Sequence, residues 1–384
     1  MSRLNTANST IVLIIGYLRK SRALVRSFIR KAPYLFCVSE EFLYLTIIRI
    51  ILKILKRPAY KTSQLMFIFT PNYMDKSKKM LSTEYIYLLE PISKLHKQFG
   101  RFNHSIYNYE KFGSFRLKFK FFKELSECSN PKILLSSWSP QKITRGQPSA
   151  YFFKIVKKLY PNTDISRIGW DTVSEKYWEL TNTFDFLKTD FVIDNPVLWG
   201  LNLKKYPNSF KKVQIVDCPC DLELFSQKKF TERSNELCFM GSIGSYRNYR
   251  SKYISELEKL SIKKVINATN KRSNFTSNED YFRILGDSKI SLNFSMSVHF
   301  DQLKARVWES LLSGCLLLES SNLQTKYFFV PDVHFIEFGS VSDMIDKISY
   351  LLNNQNEMQH IADSGRKRVL EVKNNSDIFN KLFK

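Results

Sequence analysis

The sequence predicts an α/β protein built on two parallel sheets. Short apolar runs of the buried-strand type alternate with amphipathic helical patterns over most of the chain, and this order is typical of βα units. The alternation stops in a polar, charged segment from Pro219 to Asn235 and then starts again. A length of 384 residues also suits two domains better than one. We therefore expect two α/β domains with a cleft between them.

The first half of the chain carries the pattern of one domain, from residue 61 to residue 225. Its predicted strands are residues 65–69, 132–138, 164–172, 189–194 and 213–217. Its predicted helices are residues 78–98, residues 148–160 and a helix between the strands at 164–172 and 189–194. Short apolar runs bounded by turn residues indicate the strands, and apolar residues three and four apart indicate the helices.

Residues 115–123, FRLKFKFFK, alternate aromatic or aliphatic side chains with basic ones. A period of two predicts a further half-buried strand with a basic outer face. A strip that binds nucleic acid or lipid is the alternative interpretation of the same residues.

The second half repeats the pattern, and we assign it to a domain from residue 226 to residue 384. Its predicted strands are residues 236–241, 263–269, 289–295, 315–320 and 333–338. Its predicted helices are residues 246–260, 278–286, 303–313, 341–353 and 355–373. Each half therefore supplies enough strands and helices for a sheet covered on both faces.

Residues 1–60 form a basic, helical N-terminal segment whose only acids are Glu40 and Glu41. Within this segment, residues 42–55 (FLYLTIIRIILKIL) carry Arg49 and Lys53 one helical turn apart. The pattern fits an amphipathic helix in an anionic membrane interface, and a core helix packed on the first domain is the alternative. Residues 11–18 are too short to span a bilayer. We expect a cytoplasmic protein that can associate peripherally with the inner face of the membrane.

The net charge of +23 favours a polyanionic partner: a membrane surface, a phosphorylated substrate or nucleic acid. The alternative is that lysines are simply scattered over solvated faces. Six cysteines in a chain of this length do not make a disulfide scaffold, and no His or Cys pattern completes a metal site. Buried, reduced thiols are expected instead.

Several familiar nucleotide motifs are absent from the sequence. It contains no GxxxxGK[ST] phosphate loop, no GxGxxG after a strand, and no Asp-x-Asp pair of the kind that holds a metal–diphosphate complex. A diphosphate would therefore have to be bound by arginine, lysine and a helix N-terminus, without a metal ion.

A site of this kind follows the strand at 236–241. The strand runs into Gly241, Ser242 and Gly244, and the helix that follows carries Arg247 and Arg250. Glycines let backbone N–H groups approach phosphate oxygens, and guanidinium groups add bidentate bonds. A strand–glycine–helix turn is also common without a ligand, so this signal is weak alone.

Asp301 and Glu309 are eight residues apart, and Arg306 precedes Glu309 by one helical turn. A carboxylate at the mouth of a parallel sheet can accept two hydrogen bonds from a ribose diol, each worth about 1.5–3 kcal/mol. The alternative is a surface Arg–Glu pair worth only about 0.2–0.5 kcal/mol.

The region from about Glu236 to Val369 resembles the C-terminal glycosyl transferase domain of the CgeB-like family, within the GT-B superfamily. The matching features are the Phe239-x-Gly241 strand end, the helix–strand unit at 281–295, the segment RVWESLLSG at 306–314 and the tail helix at 361–370. The resemblance covers roughly a third of the chain. It implies a GT-B fold of two Rossmann-like domains facing a central cleft, with the nucleotide-sugar donor mainly on the C-terminal domain.

The resemblance also implies residue roles. Glu309 would bind the donor ribose, and Arg306 matches the arginine just ahead of that glutamate. Asp301 stands where the family has a sugar-facing glutamate, a departure that leaves its role open. Arg250, or else Arg247, would hold the pyrophosphate.

No residue stands out as the catalytic base. Asp171 lies at a predicted strand end facing the cleft, although an aspartate at the end of a strand is more often a helix N-cap. His299 lies two residues before Asp301 in a predicted loop, where a solvated histidine is the ordinary interpretation.

The residues and the resemblance together predict a glycosyltransferase that needs no metal or cofactor. It would move a sugar from a nucleotide diphosphate sugar to a hydroxyl group of a glycan, lipid or protein, and nucleic acid is not an expected partner. Two alternatives stay open: a non-catalytic transferase-like binding protein on a polyanionic surface, and a fucosyltransferase-like GT-B enzyme.

Overall fold

The structure is a computed structural model. It describes residues 62–70, 74–75, 80–81, 85–89, 91–92, 103–138, 147–198, 205–225, 228–244, 247–268, 276–294 and 300–375, together with Thr46 and Lys381. The basic segment 1–60 lies outside these ranges except for Thr46, so the membrane helix at 42–55 stays a prediction. Within the described ranges, every helix falls short of the length and apolarity that crossing a bilayer requires.

Six parallel strands form the sheet of the first domain. The described part of this domain contains these six strands and two short ones: β1 (Thr62–Thr70), β2 (Met74–Asp75), β3 (Met80–Leu81), β4 (Asn103–Asn108), β5 (Cys128–Ser136), β6 (Asp164–Gly169), β7 (Thr189–Val192) and β8 (Val213–Ile215). The sheet order is β4-β1-β5-β6-β7-β8, while β2 and β3 form a separate antiparallel pair. The helices are α1 (Tyr109–Phe112), α2 (Phe115–Ser126), α3 (Ala150–Leu159), α4 (Glu175–Asn182) and α5 (Pro207–Phe210).

Apart from the strand predicted at 115–123, the predicted strands of this domain are confirmed within a few residues, but the helix predicted at 78–98 is wrong at its start. There the chain forms β3, and a π-helical turn follows at Tyr85–Leu89. Residues 91–92 are helical, and residues 93–98 lie outside the described residues, so the end of this helix stays a prediction.

The strand predicted at 115–123 is a helix, α2. Ser114 caps it, because its Oγ accepts a hydrogen bond from Leu117 N at 3.3 Å. Phe121, Phe122 and Leu125 are fully buried, and their spacing matches one face of a helix. The edge position beside β1 is taken by β4, which the sequence analysis missed. The alternation of basic and aromatic residues was therefore a misleading signal.

The second domain contains a five-stranded parallel sheet in the order β10-β9-β11-β12-β13, where the strands are β9 (Asn235–Gly241), β10 (Lys264–Ala268), β11 (Ser288–Asn293), β12 (Leu316–Ser320) and β13 (Ile336–Phe338). The helices are α6 (Arg250–Lys259), α7 (Asn278–Gly286), α8 (Ala305–Leu312), α9 (Leu323–Lys326), α10 (Val341–Asn353) and α11 (Gln355–Asn375). The predicted linker holds two short 3₁₀ turns, Leu222–Leu224 and Phe230–Glu232. The fold prediction of two parallel-sheet α/β domains is confirmed, while the exact domain bounds stay predictions.

The two domains share one apolar core. Met66 and Ile68 of β1 belong to the same buried cluster as Trp308 of α8 and Val369 of α11. The last helix also returns to the first domain, since Lys373 Nζ donates to Asp217 Oδ2 and to Cys218 O at 2.9 Å each. This packing fixes the carboxyl ends of the two sheets against each other.

The described cysteines match the expectation of buried thiols. All five are free and buried: Cys128, Cys218, Cys220, Cys238 and Cys315.

Candidate functional site

The candidate site lies where β9 ends and α8 begins. Strand β9 ends at Gly241, and α6 starts at Arg250. A Cβ atom at Gly241 would lie 3.1 Å from Arg306 Nη1 and 3.1 Å from the Phe239 ring. Glycine at this position therefore lets a guanidinium group from α8 approach the turn closely, at the edge of a parallel sheet where α/β folds bind ligands.

Helix α8, which carries Glu309, ends at a glycine that is visible in the sequence. Gly314 follows the helix with φ of 68°, a conformation that suits glycine. Its N–H donates to Leu311 O and Cys315 N donates to Ser310 O, both at 3.0 Å. These two bonds form a Schellman motif, so the helix stops and β12 begins at once.

Arginine side chains gather at this edge of the sheet. Arg250 is only 4% exposed, and its Nη1 donates to Ser242 O at 3.1 Å. Burial lowers the pKa of Arg250, and the positive charges of Arg306 and Arg247 lower it further. The turn is thus surrounded by cations that repel one another, an arrangement that a bound anion would relieve.

Arg306 sits over the Phe239 ring, with its guanidinium carbon 5.8 Å from the ring centre. Its Nη1 donates to Asn293 Oδ1 at 3.5 Å, whereas its Nε is buried and has no hydrogen-bond partner within the described part of the chain. Burial opposes its charge, but the neighbouring Tyr281 and Glu309 raise the pKa of Arg306 above its ordinary value. Arg306 therefore keeps both its charge and an unused donor.

The side chain of Asn293 is oriented by a hydrogen bond to Glu319, near the end of β12. Asn293 Nδ2 donates to Glu319 Oε1 at 2.7 Å, and Glu319 is fully buried. Burial raises the pKa of Glu319 to about 7. The amide of Asn293 thus points its oxygen toward Arg306.

Glu309 lies between the two domains and is only 7% exposed. One carboxylate oxygen accepts a hydrogen bond from the Tyr87 hydroxyl of the first domain, and the other accepts one from the Tyr281 hydroxyl of α7. Burial raises the pKa of both phenols, and the charge of Glu309 raises it further. The surface Arg–Glu pair weighed as an alternative is therefore wrong. The two oxygens expected to accept a ribose diol hold two tyrosine hydroxyls here.

The other acidic candidates occupy different places. Asp301 accepts a hydrogen bond from Leu323 N at 3.0 Å and is tied to the start of α9. Asp171 is exposed, and its Oδ1 accepts from Gln302 Nε2 at 2.9 Å. The N-cap alternative for Asp171 is wrong, because Ser174 is the N-cap residue of α4. His299 lies outside the described residues.

Several residues at the domain junction were not predicted from the sequence. Gln302 is 1% exposed, and its Nε2 donates to Asp194 Oδ2 at 2.6 Å. Asp194 also accepts from Thr172 N and Thr172 Oγ1 at 2.8 Å each, and burial raises its pKa to about 6. Asp194 follows strand β7 as Asp171 follows β6, so the strand-end signal used for Asp171 could have found it.

No comparable signal exists in the sequence for Gln302, Tyr87 or Tyr281. The contacts of Gln302 and Tyr87 depend on the docking of one domain on the other, and that of Tyr281 depends on the packing of α7 against α8. Among the described residues, no three His, Cys, Asp or Glu side chains are grouped as a metal ion would need.

Comparison with known proteins gives one family match. Residues 241–383 match a family model described as glycosyl transferase-like. A search of curated proteins finds no match to the sequence.

Several solved structures share the fold over most of the chain. HepE from Anabaena, crystallised with UDP and glucose, superposes with a TM-score of 0.53 at 9% identity over 83% of this chain and 99% of its own. A glycosyltransferase from Rickettsia africae gives a TM-score of 0.53 at 13% identity, over 85% and 100% of the two chains. Sucrose-phosphate synthase from Thermosynechococcus elongatus gives 0.56 at 9% identity, over 83% and 99%.

At identities this low, the shared property of these structures is the fold, and it agrees with the expected GT-B architecture. The matched model covers the domain that contains Gly241, Arg250, Arg306 and Glu309. The finer resemblance to the CgeB-like family stays a prediction. Residues 241–383 therefore form a glycosyl transferase-like domain, within a fold of two Rossmann-like parallel-sheet α/β domains that matches the GT-B architecture of these structures.

Proposed function

We propose that the protein transfers a sugar from a nucleotide diphosphate sugar to a hydroxyl group of a glycan, lipid or protein acceptor, without a metal ion. The arginine cluster around the turn at Gly241 carries this proposal. Arg250, Arg247 and Arg306 are close enough that their charges oppose one another. A diphosphate would turn this repulsion into attraction to each guanidinium group.

The cluster suits the chemistry of donor cleavage. When the sugar–phosphate bond breaks, negative charge develops on the departing nucleotide diphosphate, and fixed cations stabilise that charge most where water is excluded. Arg250 is held by the carbonyl of Ser242, and Arg306 keeps an unused buried Nε. These groups would take the part that a metal ion plays in other transferases.

The turn itself would contact the phosphates. Gly241, Ser242, Ile243 and Gly244 are partly exposed at the end of β9. Backbone N–H groups in such a turn can approach phosphate oxygens closely.

The proposed role of Glu309 toward ribose requires an exchange of partners. A ribose diol offers two hydroxyl donors, which is the kind of group that Tyr87 and Tyr281 now present to Glu309. Ribose binding would therefore replace at least one tyrosine hydroxyl, and Tyr87 is the natural one because it comes from the other domain. With this exchange of hydrogen-bond donors, Glu309 stays our candidate for the ribose contact.

Asp171 stays our candidate for the base that activates the acceptor hydroxyl. Its support is its exposure at the end of β6, at the junction of the domains. Asp301 is retained as a candidate sugar-facing carboxylate, although its bond to Leu323 N ties one oxygen to α9. The class of donor is supported by HepE, a neighbour in fold whose structure holds UDP and glucose.

The proposal is tested by calorimetric titration of the full chain with ADP-, CDP-, GDP-, UDP- and dTDP-glucose. One of these should bind, and Arg250→Lys should weaken it by roughly tenfold or more, because a charge-assisted fork worth about 1.5–3 kcal/mol is lost. Arg283→Lys is the matched control, since Arg283 is exposed and bonds to Asp280 at 2.9 Å on the surface of α7. A folded wild-type protein that binds none of the five would favour the non-catalytic alternative.

A further inference from the structure

Lys304 occupies an unfavourable position for a positive charge. It is the N-cap residue of α8, where the helix dipole already places partial positive charge. Burial lowers the pKa of Lys304 to about 8, and the charges of Arg247 and Arg250 lower it too. A lysine placed among other cations at a helix N-terminus destabilises the empty site, and a bound anion would remove that cost.

Two carboxylates lie near this lysine on the first domain, but neither forms an ion pair with it. Asp171 and Asp194 favour the charge of Lys304 at longer range. Their oxygens instead accept hydrogen bonds from Gln302 Nε2, at 2.9 Å and 2.6 Å. In the described part of the chain, Lys304 has no carboxylate oxygen within ion-pair distance.

Gln302 therefore separates the lysine from the acids. Its amide nitrogen faces Asp171 and Asp194, while its amide oxygen accepts a hydrogen bond from Lys304 Nζ. The side chain is 1% exposed, and the next residue is fixed by a bond from Leu303 N to Asp194 O at 2.9 Å. A neutral amide in this place holds the ammonium group without neutralising it.

We propose that Lys304 is a further residue that binds the donor diphosphate, and that Gln302 is the positioning residue that keeps its ammonium group available. This inference rests on the proposed nucleotide-sugar donor. It adds a fourth cation to Arg247, Arg250 and Arg306, and it makes the first domain part of the donor site through Gln302.

The inference predicts a dependence of donor affinity on pH. The ammonium group is charged below its pKa of about 8 and loses its charge as the pH rises through that value. The groups that face it are Asp171 and Asp194 across the junction and Arg247 and Arg250 beside it. Asp194, with a pKa of about 6, is largely ionised at pH 7, and Glu319, with a pKa of about 7, completes its ionisation at the lower end of the range. The positive charge that is lost as the pH rises from about 8 to about 9 is that of Lys304.

The test measures the affinity of the tightest-binding nucleotide diphosphate glucose from about pH 7 to about pH 9, where the charge of a diphosphate diester stays constant. The wild-type dissociation constant should rise by up to about tenfold over this range. Lys304→Arg should keep the affinity within about threefold and remove the pH dependence, because arginine stays charged. Lys304→Met should bind about tenfold more weakly at the lower pH, and its dissociation constant should not depend on pH.

Gln302→Met tests the positioning role. Without the amide, Asp171 and Asp194 can pair with Lys304 directly, which should weaken donor binding and shift the loss of affinity to higher pH. Lys259→Met is the control, because Lys259 is exposed and pairs with Glu256 at 2.6 Å at the far end of α6. Thermal unfolding of every variant checks that it is folded.

The possible outcomes separate the two proposals. Wild-type affinity in Lys304→Met, or a wild-type pH slope that persists in it, would overturn the role of Lys304 and leave the proposed function standing. Failure of the wild-type protein to bind any of the five probes would overturn both.

Discussion

Arg167 and Asp190 form a buried ion pair in the first domain, with side chains that are 1% and 0% exposed. Arg167 Nε donates to Asp190 Oδ1 at 3.0 Å and Nη2 donates to Oδ2 at 2.5 Å. Tyr177 adds a hydroxyl donor at 2.8 Å. The pair joins β6 to β7, the two strands that are followed by Asp171 and Asp194. It therefore stabilises the part of the first domain that positions these two aspartates at the domain junction.

Removing one partner of this pair should be costly. Asp190→Ala leaves a guanidinium group buried without its carboxylate, and we expect a loss of about 3–5 kcal/mol in the free energy of unfolding. Urea denaturation measures it. Tyr177→Phe is the control, because it removes one hydrogen bond and should cost only about 1 kcal/mol. Equal losses for both variants would show that the charge pair is not the important contact.

Arg306 and Glu309 show which properties of a site residue its local sequence carries. Arg306 and Glu309 were found in the sequence by their spacing, and the structure places both beside the Gly241 turn or the domain junction. Their partners were not found. The motif marks which side chain is special, but burial and docking decide what it contacts.

At the scale of elements, helix α2 shows how a local pattern can mislead. Residues 115–121 alternate like a strand, yet Phe121, Phe122 and Leu125 pack into the core with helical spacing. Ser114 supplies an N-cap that no strand would use. A capping serine before an apolar run was a visible signal for a helix, and it should have outweighed seven residues of alternation.

The cap of α2 gives a prediction for this element. Ser114→Ala removes the acceptor for Leu117 N, and we expect the protein to lose about 0.5–2 kcal/mol of stability. Ser114→Asp keeps an acceptor for Leu117 N and should retain most of the wild-type stability. Thermal unfolding of both variants checks this, and a Ser114→Ala protein as stable as the wild type would show that the cap contributes nothing.

At the scale of the whole molecule, the bond between Tyr87 and Glu309 links the two domains at the proposed donor site. It spans 222 residues of sequence and occupies an oxygen that the donor ribose is proposed to use. Under that proposal, docking of the domains in this arrangement would compete with donor binding. Donor affinity and domain closure should be coupled through this one hydroxyl group.

Tyr87→Phe should tighten binding of the nucleotide diphosphate sugar. The variant leaves an oxygen of Glu309 without its donor in the empty protein, and a ribose hydroxyl would satisfy it, a gain of about 1 kcal/mol or roughly fivefold in affinity. Tyr327→Phe is the control, because Tyr327 is 53% exposed. Calorimetry that shows weaker binding in Tyr87→Phe would mean that Tyr87 belongs to the bound state instead.

The sequence by itself determined the order of strands and helices in the second half, most of those in the first half, the turn at Gly241, the end of α8 at Gly314 and the positions of Arg250, Arg306 and Glu309. In the first half it did not determine β4 or α2. These features follow from local periodicity, turn chemistry and short spacing, which a single chain segment carries within itself.

Only the tertiary structure decided that Glu309 meets Tyr87, that Gln302 meets Asp171 across 131 residues, and that Lys304 stays apart from both acids. The physical reason is that these contacts arise when two separately patterned sheets dock through a shared apolar core. No periodicity in either half encodes which polar side chains that docking will bring together.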